Sequence, residues 1–101
     1  MHSKFKIDLN LDAGENPQSL VDGTEEALYR LVNSVNIACG GHAGDKTTMT
    51  KAVRLALKHK LNVGAHPSFP DREGFGRRVL HIPHKELVES LQEQMESLRK
   101  M

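Results

Sequence analysis

Val35-Asn36-Ile37-Ala38-Cys39-Gly40-Gly41-His42-Ala43-Gly44-Asp45 is a short apolar run that stops at glycines and presents a histidine just before a helical pattern begins. It reads as the end of a buried strand feeding a functional loop. Alternate residues of a strand point to opposite faces. Val35, Ile37 and Cys39 therefore share an apolar face that needs a helix against it, while Asn36, Ala38 and, if the extended run continues, His42 share the other. Two further stretches repeat the design. Leu61-Asn62-Val63-Gly64-Ala65-His66, followed by Pro67, puts Asn62, Gly64 and His66 on one face. Ile7-Asp8-Leu9-Asn10-Leu11-Asp12 sets Ile7, Leu9 and Leu11 against Asp8, Asn10 and Asp12. Each expected strand leads to an ionisable residue on its polar face: Asp12, His42 and His66.

The segments between these strands carry helical signals. The first strand is expected from about Phe5 to Leu11, and Ala13-Gly14-Glu15-Asn16-Pro17 then forms a turn. Thr24 is the expected N-cap of a helix from Glu25 to about Val32. Asp45 is placed to cap a second helix with Met49, Ala52, Val53, Ala56 and Leu57 at helical spacing. The longest irregular stretch, Pro67 to His81, holds Arg72, Arg77 and Arg78, and loops of this length are often functional. Pro83 suits the first turn of a last helix striped by Leu87, Val88, Leu91, Met95 and Leu98. The fold class is α/β: three consecutive βα units in one domain spanning 1–101, with parallel strands and right-handed crossovers. Ligands of such folds lie at the carboxyl ends of the strands, where Asp12, His42 and His66 all fall. Three units leave two open sheet edges.

Composition narrows the function. A chain of 101 residues has room for one small domain whose core is thin, since folding buries roughly two thirds of the unfolded surface. With 14 basic and 13 acidic residues, the net charge of +1 gives no electrostatic case for nucleic acid or an anionic membrane. The single Cys39 fits a reducing compartment. Met1-His2-Ser3-Lys4 leads straight into a strand without a signal-peptide core, and no apolar run approaches a membrane span. A cytoplasmic address is the expectation.

Two histidines and an aspartate after adjacent strands form a candidate site. A neutral imidazole acts as base or binds a metal, and a carboxylate orients it or completes a facial triad, so Asp12, His42 and His66 suit either chemistry. Asp8 and Asn10 are expected to hydrogen-bond inside the sheet or to touch substrate. Asp45 reads first as a helix cap. Gly40 to Thr47 nearly matches a phosphate-binding loop, but Asp45 stands where its second glycine is required, and a carboxylate there repels phosphate. Gly74-Phe75-Gly76 lacks the third glycine of a dinucleotide fingerprint. One arginine of the long loop is expected to clamp a carboxylate or phosphate. His59, in a helix, is read as a surface residue.

These motifs resemble the LamB/YcsF family, the A subunit of bacterial ATP-dependent 5-oxoprolinase. The resemblance rests on Ile7-Asp8-Leu9-Asn10, Asp12 with Gly14-Glu15, Asn36-Ile37-Ala38-Cys39-Gly40, His42-Ala43-Gly44-Asp45, Gly64-Ala65-His66-Pro67-Ser68, and Pro70-Asp71 with Gly74-Phe75-Gly76-Arg77. Many matches in one order and spacing, from Lys6 to Arg78, make it specific. The chain departs at Leu11, Ala13 and Gly41, where the family usually has alanine, leucine and a bulky aromatic. Family members are also much longer.

The resemblance implies an irregular (β/α) barrel similar to glycoside hydrolases and polysaccharide deacetylases, of which this chain matches the N-terminal part. It implies a hydrolase of cyclic amides that opens 5-oxoproline to glutamate at the expense of ATP, together with the other 5-oxoprolinase subunits. Asp12, Glu15, His42 and His66 become the expected catalytic residues; Asp8, Asn10, Asn36, Asp45, Asp71 and Arg77 are expected to bind substrate or nucleotide. Two other readings stand beside it. One is a deacetylase-like hydrolase holding a divalent metal through Asp12, His42 and His66. The other is a non-catalytic remnant that associates with itself or with partner subunits.

Overall fold

The computed structural model describes residues 6–101. Its strands are β1 (Asn10–Ala13), β2 (Ser34–Ala38) and β3 (Asn62–His66), and its helices are α1 (Pro17–Asp22), α2 (Thr24–Tyr29), α3 (Lys46–Lys58) and α4 (His84–Arg99). The strands form one parallel sheet in the order β1-β2-β3. The alternating βα order is thus realised as expected, with adjacent strands parallel.

The first strand is shifted towards the C-terminus relative to the expectation. Asn10 pairs with Ser34, the first residue of β2, so residues before Asn10 have no partner strand to continue the ladder. Leu9 still accepts at its carbonyl from the amides of Asn33 and Ser34, at 2.8 and 3.2 Å. Ile7 and Leu9, expected on the apolar face, are exposed as a result. Phe5 lies outside the described residues.

The segment read as a turn contains α1. Asn16 caps it by accepting from the Gln18 amide, Pro17 occupies the first turn where it sacrifices no hydrogen bond, and Leu20 is buried. Gly23, at φ 86°, ends α1 and stands at the N-cap of α2, displacing Thr24 into the helix itself; α2 stops at Tyr29 rather than Val32. Asp45 caps α3 as expected. Its carboxylate accepts from the Thr48 amide at 2.8 Å while Thr48 Oγ1 receives the Asp45 N–H, a reciprocal capping box. The Thr48 amide, more than any other group, holds the Asp45 carboxyl below its ordinary range.

Val35 and Ile37 of β2 are fully buried with Ala13, Tyr29, Ala52 and Ala56, so the helix-side face of the sheet is the core. The opposite face is polar: Ser34 donates to Asp8, Asn36 donates to Asn10 at 3.0 Å, and Asn62 donates to Ser34. Only part of the α4 stripe is covered. Leu98 is buried, but Val88 and Met95 are exposed, and the buried polar residue of this helix is Gln94. Among the described residues, no helix is long and apolar enough to cross a membrane.

Candidate functional site

Three loops at the carboxyl ends of the strands meet in a cleft of 270 Å³ lined by Asp12, Glu15, His42, His66, Ser68 and Arg77, with Phe75 and Gly76. Larger grooves run along α4 (750 Å³) and between α3 and Met101 (890 Å³). They lack this convergence of imidazoles and carboxylates, and the smaller cleft is the candidate site.

Glu15 arrives on the loop after β1. Gly14 turns that loop at φ +72°, and its amide donates to Glu25 Oε2 at 3.0 Å. Glu25 is buried in α2 and also accepts from Tyr29 Oη at 2.7 Å and Ser19 Oγ at 3.2 Å. A carboxylate inside the core therefore ties the Glu15 loop to α2. Burial first, and then the hydrogen bond to Glu25, pushes the Tyr29 phenol well above its usual range, so it stays a donor. Sequence reading missed this brace. Its one signal is the i,i+4 spacing of Glu25 and Tyr29, which also describes a solvated pair.

His42 is held by a tight glycine loop. The Gly40 amide donates to the Ala43 carbonyl at 2.8 Å, and Arg72 clasps the Gly44 and Gly40 carbonyls at 2.7 and 3.3 Å. Gly44, at φ +92°, passes so close to β2 that a Cβ there would lie 2.7 Å from the Ala38 carbonyl oxygen. The loop thus requires glycine twice over. The His42 side chain, only 3% exposed, places Nε2 2.6 Å from Glu15 Oε2 and Nδ1 2.9 Å from Ser68 Oγ. Phe75 meets the ring edge-on at 4.8 Å between centroids.

His66, the last residue of β3, lies 4.6 Å from His42 between ring centroids. Its Nδ1 is 3.5 Å from Asp12 Oδ1 and 3.9 Å from Glu15 Oε2. These separations are within ion-pair reach, yet Nδ1 is buried and makes no hydrogen bond. One ligand-type atom from each of Glu15, His42 and His66 lies within 4.8 Å of the other two. The carboxylate that stands between the imidazoles is Glu15; Asp12 flanks them. Glu15 thus joins the expected Asp12, His42 and His66 in one cluster.

The structure brings Asp12, Glu15, His42, His66 and Arg77 together and leaves the other expected residues apart. Asp8 bonds Ser34 beside the start of the strands, and Asn10 and Asn36 bond each other across the polar face, where Asn36 also reaches Asp12 at 3.4 Å. Asp45 is occupied at its helix cap. Asp71 is buried and accepts from the Gly74 amide and Arg78, whose guanidinium, as the largest influence, lowers its carboxyl to about 2. Of the loop arginines, Arg72 and Arg78 brace loops, whereas Arg77 stacks over Phe75 at 5.8 Å at the cleft wall. Cys39 is buried, and burial pushes its thiol up, away from nucleophilic reactivity. His59 is half-buried and bonds Glu26 at 2.8 Å, so it is not a free surface residue.

Two residues that sequence reading passed over as site parts are Ser68 and Gln94. Gln94 of α4 accepts from the Ser68 amide at 3.0 Å and donates to the Ser68 carbonyl at 2.9 Å. It pairs with this residue as a neighbouring strand would, which fixes Ser68 beside His42. A lone Gln within an apolar helical stripe carries no such signal in sequence.

The fold and the cleft define an α/β protein with a histidine–carboxylate site at the carboxyl end of a parallel sheet. The chain belongs to the LamB/YcsF family, whose model matches residues 7–101. It is 45% identical over 82 residues to a Ruegeria pomeroyi protein named as the A subunit of 5-oxoprolinase, a match covering 81% of this chain and 32% of that one. It also resembles the crystal structure of the lactam utilization protein from Thermus thermophilus, with a TM-score of 0.85 and 42% identity, covering 95% of this chain and 39% of that one. The chain spans about a third of the curated relative's length.

Proposed function

We propose that this chain acts in the ATP-dependent opening of 5-oxoproline to glutamate, as part of a 5-oxoprolinase assembled with other subunits. The observation that carries the reading is the 2.6 Å contact between Glu15 and a buried His42 at the strand ends. It occurs in a family member similar to a protein named as the A subunit of 5-oxoprolinase. The polar face of the open sheet, running up to the cleft, supports the wider architecture of an irregular (β/α) barrel in which that face lines the interior.

A lactam is a stable amide, so water opens it slowly without activation. Transfer of the ATP γ-phosphoryl group to the lactam oxygen releases ADP and leaves an imidate-like carbon that water attacks more readily. Breaking the C–N bond of the adduct frees the amine and leaves the former lactam carbon as an acyl phosphate, which a second water cleaves to phosphate and glutamate. In this scheme Asp12 takes the proton from attacking water and returns one to the departing nitrogen, while Glu15, His42 and His66 position that water. Arg77, on the cleft wall, holds the substrate carboxylate or a phosphate.

The test is ATP-dependent glutamate release by the chain combined with candidate partner subunits. Asp12→Asn and His66→Ala should each reduce turnover by about 10²-fold or more, the ordinary scale of general acid–base assistance. Normal turnover in both variants would overturn the assignment.

A further inference from the structure

We propose that Glu15, His42 and His66 form a binding site for a divalent transition-metal ion of the zinc class, with Ser68 as the positioning residue behind His42. Ser68 Oγ donates to the Phe69 carbonyl at 3.0 Å, and a hydroxyl has a single proton to give. With that proton given to Phe69, Ser68 is the acceptor towards His42 Nδ1 at 2.9 Å, and we assign the His42 ring proton to Nδ1. Its Nε2 lone pair then points at Glu15 Oε2, 2.6 Å away, and an ionised carboxylate also offers only lone pairs. Two lone pairs at that separation repel unless a cation joins them.

A proton would join those two atoms and nothing more. The third group argues for a larger cation, because His66 Nδ1 is buried without a hydrogen bond, 3.9 Å from the same Glu15 oxygen and 3.5 Å from Asp12 Oδ1. A metal ion satisfies all three. Two imidazoles and a glutamate are a known donor set for zinc, in which tetrahedral bonds of roughly 2.0–2.1 Å place ligand atoms about 3.3 Å apart. The separations of 2.6 and 3.9 Å straddle that value and all three donor atoms lie within 4.8 Å of one another, so side-chain shifts on the order of 1 Å complete the site. His42 also has the arrangement that metal-bound histidines favour, with the second ring N–H donated to an oxygen. His66 comes from a strand end and His42 from a loop fixed by Gly44 and Arg72, so the site is pre-organised. The remaining coordination position opens on the cleft beside Arg77.

Metal binding is read on the chain alone, without ATP or partner subunits, so its outcome is separate from that of the ring-opening reading. The full chain, stripped with a chelator, is titrated with zinc chloride by calorimetry and with cobalt chloride by visible absorption. The expected result is one ion per chain and cobalt bands of a four-coordinate nitrogen–oxygen site. Glu15→Gln, His42→Ala and His66→Ala should each weaken binding by at least about 10-fold, with circular dichroism matching the unsubstituted chain. Ser68→Ala should weaken it about 10- to 100-fold while keeping the cobalt spectrum. His59→Ala, at a histidine remote from the cleft, should change nothing. Absence of binding to the folded chain, or binding that survives His66→Ala, would overturn the proposal. So would nitrogen-resolved NMR showing His42 protonated on both ring nitrogens with zinc present, because a proton would then be the joining cation.

Discussion

Asp71 and Glu26 show how single residues tie the loops of this chain to its pH response. Arg78 lowers Asp71 from an ordinary value of 3.8 to about 2, and Lys58, followed by His59, lowers Glu26 from 4.5 to about 2. A carboxyl depressed in the folded state contributes stability that is complete above its unfolded value and is lost as pH falls through the folded one. Urea midpoints should therefore be level with respect to these two groups above about pH 5 and fall between about pH 4 and pH 2. Asp71→Asn should lower the midpoint at about pH 7 and flatten the acid limb, and an acid limb unchanged from that of the unsubstituted chain would refute the link. Gly41 poses a steric question at the same scale. A Cβ there would lie 2.5 Å from Gln94 Oε1 and 2.7 Å from Ser68 Oγ, so α4 holds the space that a side chain would need. Gly41→Phe should destabilise by about 1–3 kcal/mol through overpacking. Adding Gln94→Ala should recover part of that loss in a double-mutant cycle; strictly additive costs would show that Gln94 is not the obstacle.

The elements differ in how far sequence exposes them, and the reasons are physical. Helix α3 is legible because Asp45, the apolar spacing and the basic end agree with one another, and its capping box bears this out. Removing the carboxylate with Asp45→Ala should cost about 1 kcal/mol and lower the melting temperature by several degrees. A cost near zero would mean that Thr48 closes the helix end alone. Strand β1 is misplaced from sequence because alternation runs back to Ile7, whereas pairing begins only where β2 supplies a partner. The short α1 is hidden by Gly14 and Pro17, which read as a turn although Asn16-Pro17 is equally a helix start. Site residues at strand ends, Asp12 and His66, follow from alternation and topology. The roles of Glu25, Ser68 and Gln94 do not, because each depends on a contact between elements distant in sequence.

At the scale of the whole molecule, the described chain is extended. Its radius of gyration is 14.8 Å and its dimensions are 51 × 33 × 25 Å, where a compact domain of this length has a radius near about 13 Å. Among the described residues, β1 and β3 each lie at an edge of the sheet, and the backbone groups on their outer sides have no strand beside them. Val63 sits next to the fully buried Val35 in the ladder, on the face that the helices cover elsewhere, yet it is 41% exposed. An apolar edge of this kind invites another strand or a helix from a second polypeptide. The isolated chain should therefore self-associate, its light-scattering mass rising with concentration over the micromolar range. Val63→Lys puts a charge on that edge, and should return the mass to that of a single chain with an unchanged circular dichroism spectrum. A mass that rises equally in Val63→Lys would place the association elsewhere, with the uncovered Val88 and Met95 of α4 as the next surface to charge.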